Sequence, residues 1–104
     1  MPRKKNLNLL ELATLRDFTI NLEATSGMID LFYVFLNDIK VIQSLGTKKP
    51  KWSGKVPNSI RIKVRVVGKG KATFKLGIDL PGTADDQSLT LTLTDGYYET
   101  EISL

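Results

Sequence analysis

Without a single histidine or cysteine, the 104-residue chain cannot build a Ser-His-Asp triad, a thiol nucleophile, a zinc finger or a redox pair. Carboxylates are what remains for acid–base work. Glu99 and Glu101 stand two apart, which puts them on one face of a strand, and Asp85 and Asp86 are adjacent. A hydrolytic pair needs two carboxyls across a cleft, one of them with its pKa raised by burial. An exposed sheet face in so small a domain offers little such cleft. Asp85 and Asp86, beside Asp79 and Asp95, are the weak candidates for holding a cation, and their spacing lacks the EF-hand pattern. Gly68-Lys69-Gly70-Lys71 is not a phosphate loop: one residue separates the glycines, and Ala72 stands where Ser or Thr is needed. No enzyme activity, metal or cofactor is expected.

Binding chemistry is better represented. Trp52 sits among Lys48, Lys49, Lys51 and Lys55, and Tyr97 flanks Asp95-Gly96. Exposed rings of this kind stack on sugar faces, so Trp52 and Tyr97, with Lys51 and Lys55, form a candidate glycan site by analogy with other small sandwiches. Arg61, Lys63 and Arg65 alternate along one segment. Together with Lys75 they form a candidate basic face for an anionic polymer such as nucleic acid, although no aromatic points outward from either basic strand.

The charge is sorted along the chain. The formal net charge is +4, yet residues 1–47 are neutral, residues 48–75 hold ten bases and no acid, and residues 76–104 hold six acids and no base. Such sorting predicts either surfaces of opposite sign or segments that neutralise one another. Surfaces of opposite sign favour contact between proteins, including copies of one chain. Arg61, Lys63, Arg65, Lys75, Glu99 and Glu101 are the residues that would carry that contact.

The elements behind these residues are strands. Ser59–Val67 and Lys71–Leu80 alternate apolar and polar positions with period two, and Gly68-Lys69-Gly70 between them reads as a hairpin turn. That register sets Val64 opposite Phe74, Ile62 opposite Leu76 and Lys63 opposite Lys75. Ser88–Thr94 and Tyr97–Leu104 read as a second hairpin through Asp95-Gly96, with Leu91 opposite Thr100 and Thr92 opposite Glu99. Asp17–Ala24 alternates as a strand. Ile29–Leu36 and Ile39–Leu45, rich in β-branched and aromatic residues, read as strands about an Asn37-Asp38 turn rather than as one helix. Thr47–Asn58 and Pro81–Asp86 read as loops. Asn8-Leu9-Leu10-Glu11 has capping-box spacing, which permits a short helix over Leu9–Arg16.

The sum is one all-β domain over residues 1–104, a small antiparallel β-sandwich of about seven strands, immunoglobulin-like or jelly-roll-like, with residues 1–8 a flexible basic tail. In an immunoglobulin-type arrangement the basic and acidic hairpins fall in opposite sheets, giving a bipolar molecule. The longest apolar run, Leu31–Leu36, is six residues, too short to span a membrane. Asn6, Asn8 and Glu11 interrupt the leucines after Arg3-Lys4-Lys5, so no signal peptide is read and a cytoplasmic location is expected. Lys48-Lys49-Pro50-Lys51 reads as a solvated loop. The function expected is a non-catalytic interaction module, contacting a protein partner or itself, with glycan and nucleic acid as alternatives.

Overall fold

The computed structural model describes residues 15–81 and 86–104. Eight strands follow one another: β1 (Arg16–Ser26), β2 (Ile29–Leu36), β3 (Ile39–Leu45), β4 (Lys51–Val56), β5 (Arg61–Gly68), β6 (Thr73–Asp79), β7 (Gln87–Thr92) and β8 (Tyr97–Ser103). They form two four-stranded antiparallel sheets, ordered β4-β1-β6-β7 and β3-β2-β5-β8. The fold is the β-sandwich that the alternation predicts, with no helix among the described residues. The capping-box helix falls largely on residues 1–14, outside the described ones, and Arg16 at its far end opens β1. The basic tail lies outside them as well.

Period-two alternation builds the core. Phe18, Ile20 and Leu22 of β1 and Phe74, Leu76 and Ile78 of β6 face Phe32, Val34, Ile62, Val64 and Val66 from the other sheet, all of them buried. Phe74 bridges the layers: its ring packs edge-on against Phe32 at 6.0 Å and against Tyr98 at 5.5 Å. No polar or charged side chain is buried among the described residues, so the core makes no demand for internal hydrogen bonds.

Three readings of the sequence are corrected. The segments on either side of Gly68-Lys69-Gly70 do not pair: β5 lies between β2 and β8, while β6 lies between β1 and β7 in the opposite sheet. The segments around Asp95-Gly96 part in the same way, and the single bridge Thr94↔Tyr97 is all that remains of that hairpin. Thr47–Asn58 is not all loop, because β4 lies inside it and pairs with β1 from Arg16↔Val56 to Asn21↔Lys51. Hence there are eight strands where about seven were expected.

The first two corrections share a cause. A hairpin and an arch between two sheets both keep the apolar face toward the core, so both give the same alternation. The four connections at one end of the sandwich, 27–28, 46–50, 69–72 and 93–96, all pass from one sheet to the other. Backbone bonds knit them together: Lys69 N–H donates to Met28 O, Gly68 N–H to Gly96 O, Gly96 N–H to Gly70 O and Leu93 N–H to Ala72 O, at 2.8–2.9 Å. Close approach here demands glycine. A Cβ at Gly46 would stand 1.9 Å from Ile29 O, and one at Gly68 2.3 Å from Met28 O.

By contrast β2 and β3 form the hairpin expected, turning at Asn37 and Asp38, both with positive φ (47° and 68°). Asn37 Oδ1 also accepts from Arg61 N–H at 2.8 Å, which ties this turn to the start of β5.

Candidate functional site

The basic and acidic segments meet inside one sheet. β5 and β8 are neighbours, with Arg65 opposite Glu99 and Lys63 opposite Glu101. The Arg65 guanidinium donates to Glu99 at 2.8–2.9 Å, and Arg61 lies 2.7 Å from Asp38 and 3.7 Å from Glu101. Arg65, by its hydrogen bond and charge, holds the Glu99 carboxyl below its usual range, and the Tyr97 hydroxyl donates to the same oxygen at 3.3 Å. Arg61 and Arg65 are in turn raised, first by their hydrogen bonds to Asp38 and Glu99. Where the basic and acidic segments run side by side, in β5 and β8, Arg61 and Arg65 are thus paired with acids across adjacent strands. The expectation of basic and acidic hairpins in opposite sheets is overturned.

The other candidates are dispersed. Lys75 projects from β6 on the opposite side of the sandwich, where its register neighbours are Glu23 and Thr90, so it is no part of a surface with Arg61, Lys63 and Arg65. Trp52 belongs to β4 and Tyr97 to β8. β4 borders β3, and β8 is the far edge of the sheet that begins with β3, so the two rings stand on opposite sides of the molecule. They do not form one ring-lined site. Trp52 is half-buried against Phe18 at 6.2 Å, and its ring covers Gly54. It borders an apolar groove of about 310 Å³ together with Ile39, Val41, Pro57 and Ile60. Lys55 is paired with Asp17 at 2.7 Å, and Lys51 stands opposite Asn21. Asp85 lies outside the described residues, and Asp86 accepts the Leu80 N–H at 2.7 Å, a loop-bracing contact.

What the sheets do bring together was not singled out by residue type. In β2, Phe32, Val34 and Leu36 are buried, so Leu31, Tyr33 and Phe35 point outward, half-exposed. The registers of β3, β5 and β8 then define three rows across the outer face of their sheet. The first is Leu45–Leu31–Val67–Tyr97, apolar on every strand. The second is Gln43–Tyr33–Arg65–Glu99, and the third is Lys40–Phe35–Lys63–Glu101. Leu45 is 58% exposed and Tyr97 43%. Arg65 also reaches over the Phe35 ring, 5.7 Å from its centre, within range of a cation–π contact.

The outer face of the other sheet is different in kind. Thr19 and Ser53 share a hydrogen bond at 3.0 Å, and Thr73 is bonded to Thr25 and Ser26 at 2.6–2.7 Å. Asp17–Lys55 and Glu23–Lys49 are ion pairs. Asn21, Lys51, Lys75, Gly77, Asp79, Ser88, Thr90 and Thr92 take the other outward positions, so that face carries no apolar side chain in these rows.

The signal for the apolar face is present in the sequence. Leu31–Leu36 is apolar at six consecutive positions, and a strand apolar on both sides is one with cover on both sides. Comparison with known proteins returns no matching family model, no matching curated protein and no matching solved structure. The chemistry of this face therefore carries the functional reading.

Proposed function

We propose that the protein is a non-catalytic binding module that contacts a protein partner through the outer face of the β3-β2-β5-β8 sheet. The observation that carries this reading is the apolar row Leu45–Leu31–Val67–Tyr97, set above Tyr33, Phe35 and Arg65, on one of two faces whose counterpart is wholly polar. Apolar area gains about 25 cal/mol per Å² when removed from water. Tyr and Arg in such settings are the residues that dominate protein contacts. The paired charges of β5 and the edge strand β8 add the polar contacts that set register and specificity. An anionic polymer is less well served, because Arg61 and Arg65 already hold carboxylates. Catalysis is not supported either, since Glu99 is held in the charged form, the reverse of what a general acid needs.

A photo-crosslinking amino acid placed at Tyr33, and separately at Thr90 on the polar sheet, tests the reading in the cell that makes the protein. Protein adducts are expected from position 33 alone, and Leu31→Asp should abolish them. Equal labelling from both positions, or adducts only to nucleic acid or lipid, would overturn it.

A further inference from the structure

We propose that the occupant of this face is a second copy of the same chain, docked about a twofold axis that runs parallel to the strands between β2 and β5. The inference rests on the contact face just described and specifies what covers it. An axis in that direction lays β8 of one copy over β3 of the other, and β5 over β2. Row by row, the residues then meet as follows. Tyr97 faces Leu45 and Val67 faces Leu31, apolar on apolar. Arg65 faces Tyr33 and Lys63 faces Phe35, a cation on a ring in each case. Glu101 faces Lys40, opposite charges at the rim. Lys40 has no carboxylate within ion-pair distance among the described residues, and its ammonium donates to Gln43 instead. Each of these contacts occurs twice, as an isologous interface requires.

The alternative in-plane axis, perpendicular to the strands, is disfavoured by the same rows. Centred on the middle row, it stacks β8 on β8 and β5 on β5, so Glu99 confronts Glu99 and Arg65 confronts Arg65, while Glu101 faces Tyr97 and Lys63 faces Val67. The two halves of the face differ, ring-bearing on the β3-β2 side and charged on the β5-β8 side. Only the parallel axis matches one half to the other. Facing sheets in sandwiches cross at about 30°, a rotation that leaves the central pairs in place and moves the edge pairs by distances long side chains can follow.

Four strands about 4.8 Å apart and rows spanning about six residues at about 3.3 Å each give a face of about 400 Å². Stable complexes use about 800 Å² per partner. The dimer is therefore weak and transient.

Sedimentation equilibrium of the purified chain from about 10 µM to about 1 mM tests the inference. A monomer–dimer equilibrium is expected. Lys40→Glu and Glu101→Lys should each weaken it by about tenfold or more, since every substitution removes two contacts, and the double exchange should restore it. Thr90→Lys, on the polar sheet, should leave it unchanged. Thermal melts of each variant separate a lost contact from a lost fold. The chain has no cysteine, so Leu45→Cys and Tyr97→Cys can be combined with a short bismaleimide: a crosslink is expected in the mixture of the two variants and not in Leu45→Cys alone. A monomer throughout, or a dimer indifferent to both charge reversals, would overturn the second copy. If that occurs while position 33 still crosslinks to another protein, the contact face stands and its occupant changes. If position 33 labels nothing, both readings fall.

Discussion

Glu99 takes a guanidinium from Arg65 and a phenol from Tyr97 on one oxygen, and this makes it the side chain whose protonation the fold feels. A carboxyl with a lower pKa folded than unfolded stabilises the fold above its ordinary range, and that contribution disappears as pH falls through the lowered value. Arg65 is shifted upward, so it stays charged throughout and adds no dependence of its own in the working range. Glu99→Gln is accordingly expected to lower stability by a constant margin near neutrality. The margin should shrink below about pH 4, near the ordinary carboxylate value, as the wild-type pair is titrated away. Urea midpoints measured from pH 7 to pH 2.5 check this; parallel curves for the two proteins would refute it. At this scale the sequence was informative about composition and mute about neighbours. It placed Glu99 and Arg65 outward on strands, but only the β5–β8 register makes them partners.

The elements show why alternation was enough for the strands and not for their pairing. Ile29–Leu36, Ile39–Leu45 and the Asn37-Asp38 turn were legible because two local signals agreed: β-branched runs and residues that tolerate positive φ. Gly68-Lys69-Gly70 and Asp95-Gly96 carried a turn signal of equal strength, yet the chain there crosses the core instead of doubling back. Turn chemistry fixes that the chain reverses and does not fix which sheet it enters. β4 was missed because Pro50 and Pro57 bracket it, Gly54 interrupts it, and its positions are lysine and serine on the outer side. It is an edge strand, held by β1 and by Trp52 over Gly54.

The other edges differ in their protection. β4 carries Lys51 and Lys55, β3 carries Lys40, and β8 carries Glu99 and Glu101, whereas Gln87–Thr92 of β7 holds no charge at all. Uncharged edges are the sites at which sheets add strands. Ser88→Lys, opposite the uncharged Gly77, is expected to lengthen the lag of aggregation at mildly destabilising temperature several-fold without shifting the melting midpoint by more than about 2 °C. Light scattering beside a thermal melt measures both, and an unchanged lag would show that aggregation begins elsewhere.

Across the whole molecule, charge is distributed by position in the sandwich more than by position in the chain. Along the strands the basic run finds acids: Lys55 with Asp17, Arg61 with Asp38, Arg65 with Glu99. Of the lysines of the arches and the adjoining start of β4, Lys49 pairs with Glu23, while Lys48, Lys51, Lys69 and Lys71 have no ion pair among the described residues. Unpaired lysines thus gather at the arch end, while the three rows of the proposed contact face carry three cations, Lys40, Lys63 and Arg65, against two anions, Glu99 and Glu101. The architecture also predicts cooperativity, because both sheets depend on every arch. Urea unfolding followed by Trp52 fluorescence and by far-ultraviolet circular dichroism should give coincident single transitions. Separate midpoints would mean that one sheet survives the other.

The arches impose an order on the birth of the molecule as well. β1 is the first of the eight strands to leave the ribosome, yet its partners are β4 and β6, and Ile20 pairs with Trp52 on one side and Ile78 on the other. Until Asp79 has emerged, Phe18, Ile20 and Leu22 have no complete sheet to join. Until β4 emerges, the β2–β3 hairpin is the pairing the nascent chain can make; the other local hairpin, β6–β7, comes later. Long-range pairing of this kind is slow, on the order of milliseconds to seconds. The growing polypeptide therefore carries an unsheltered apolar strand from the emergence of β1 until β6 appears, an interval in which that strand is open to wrong pairing.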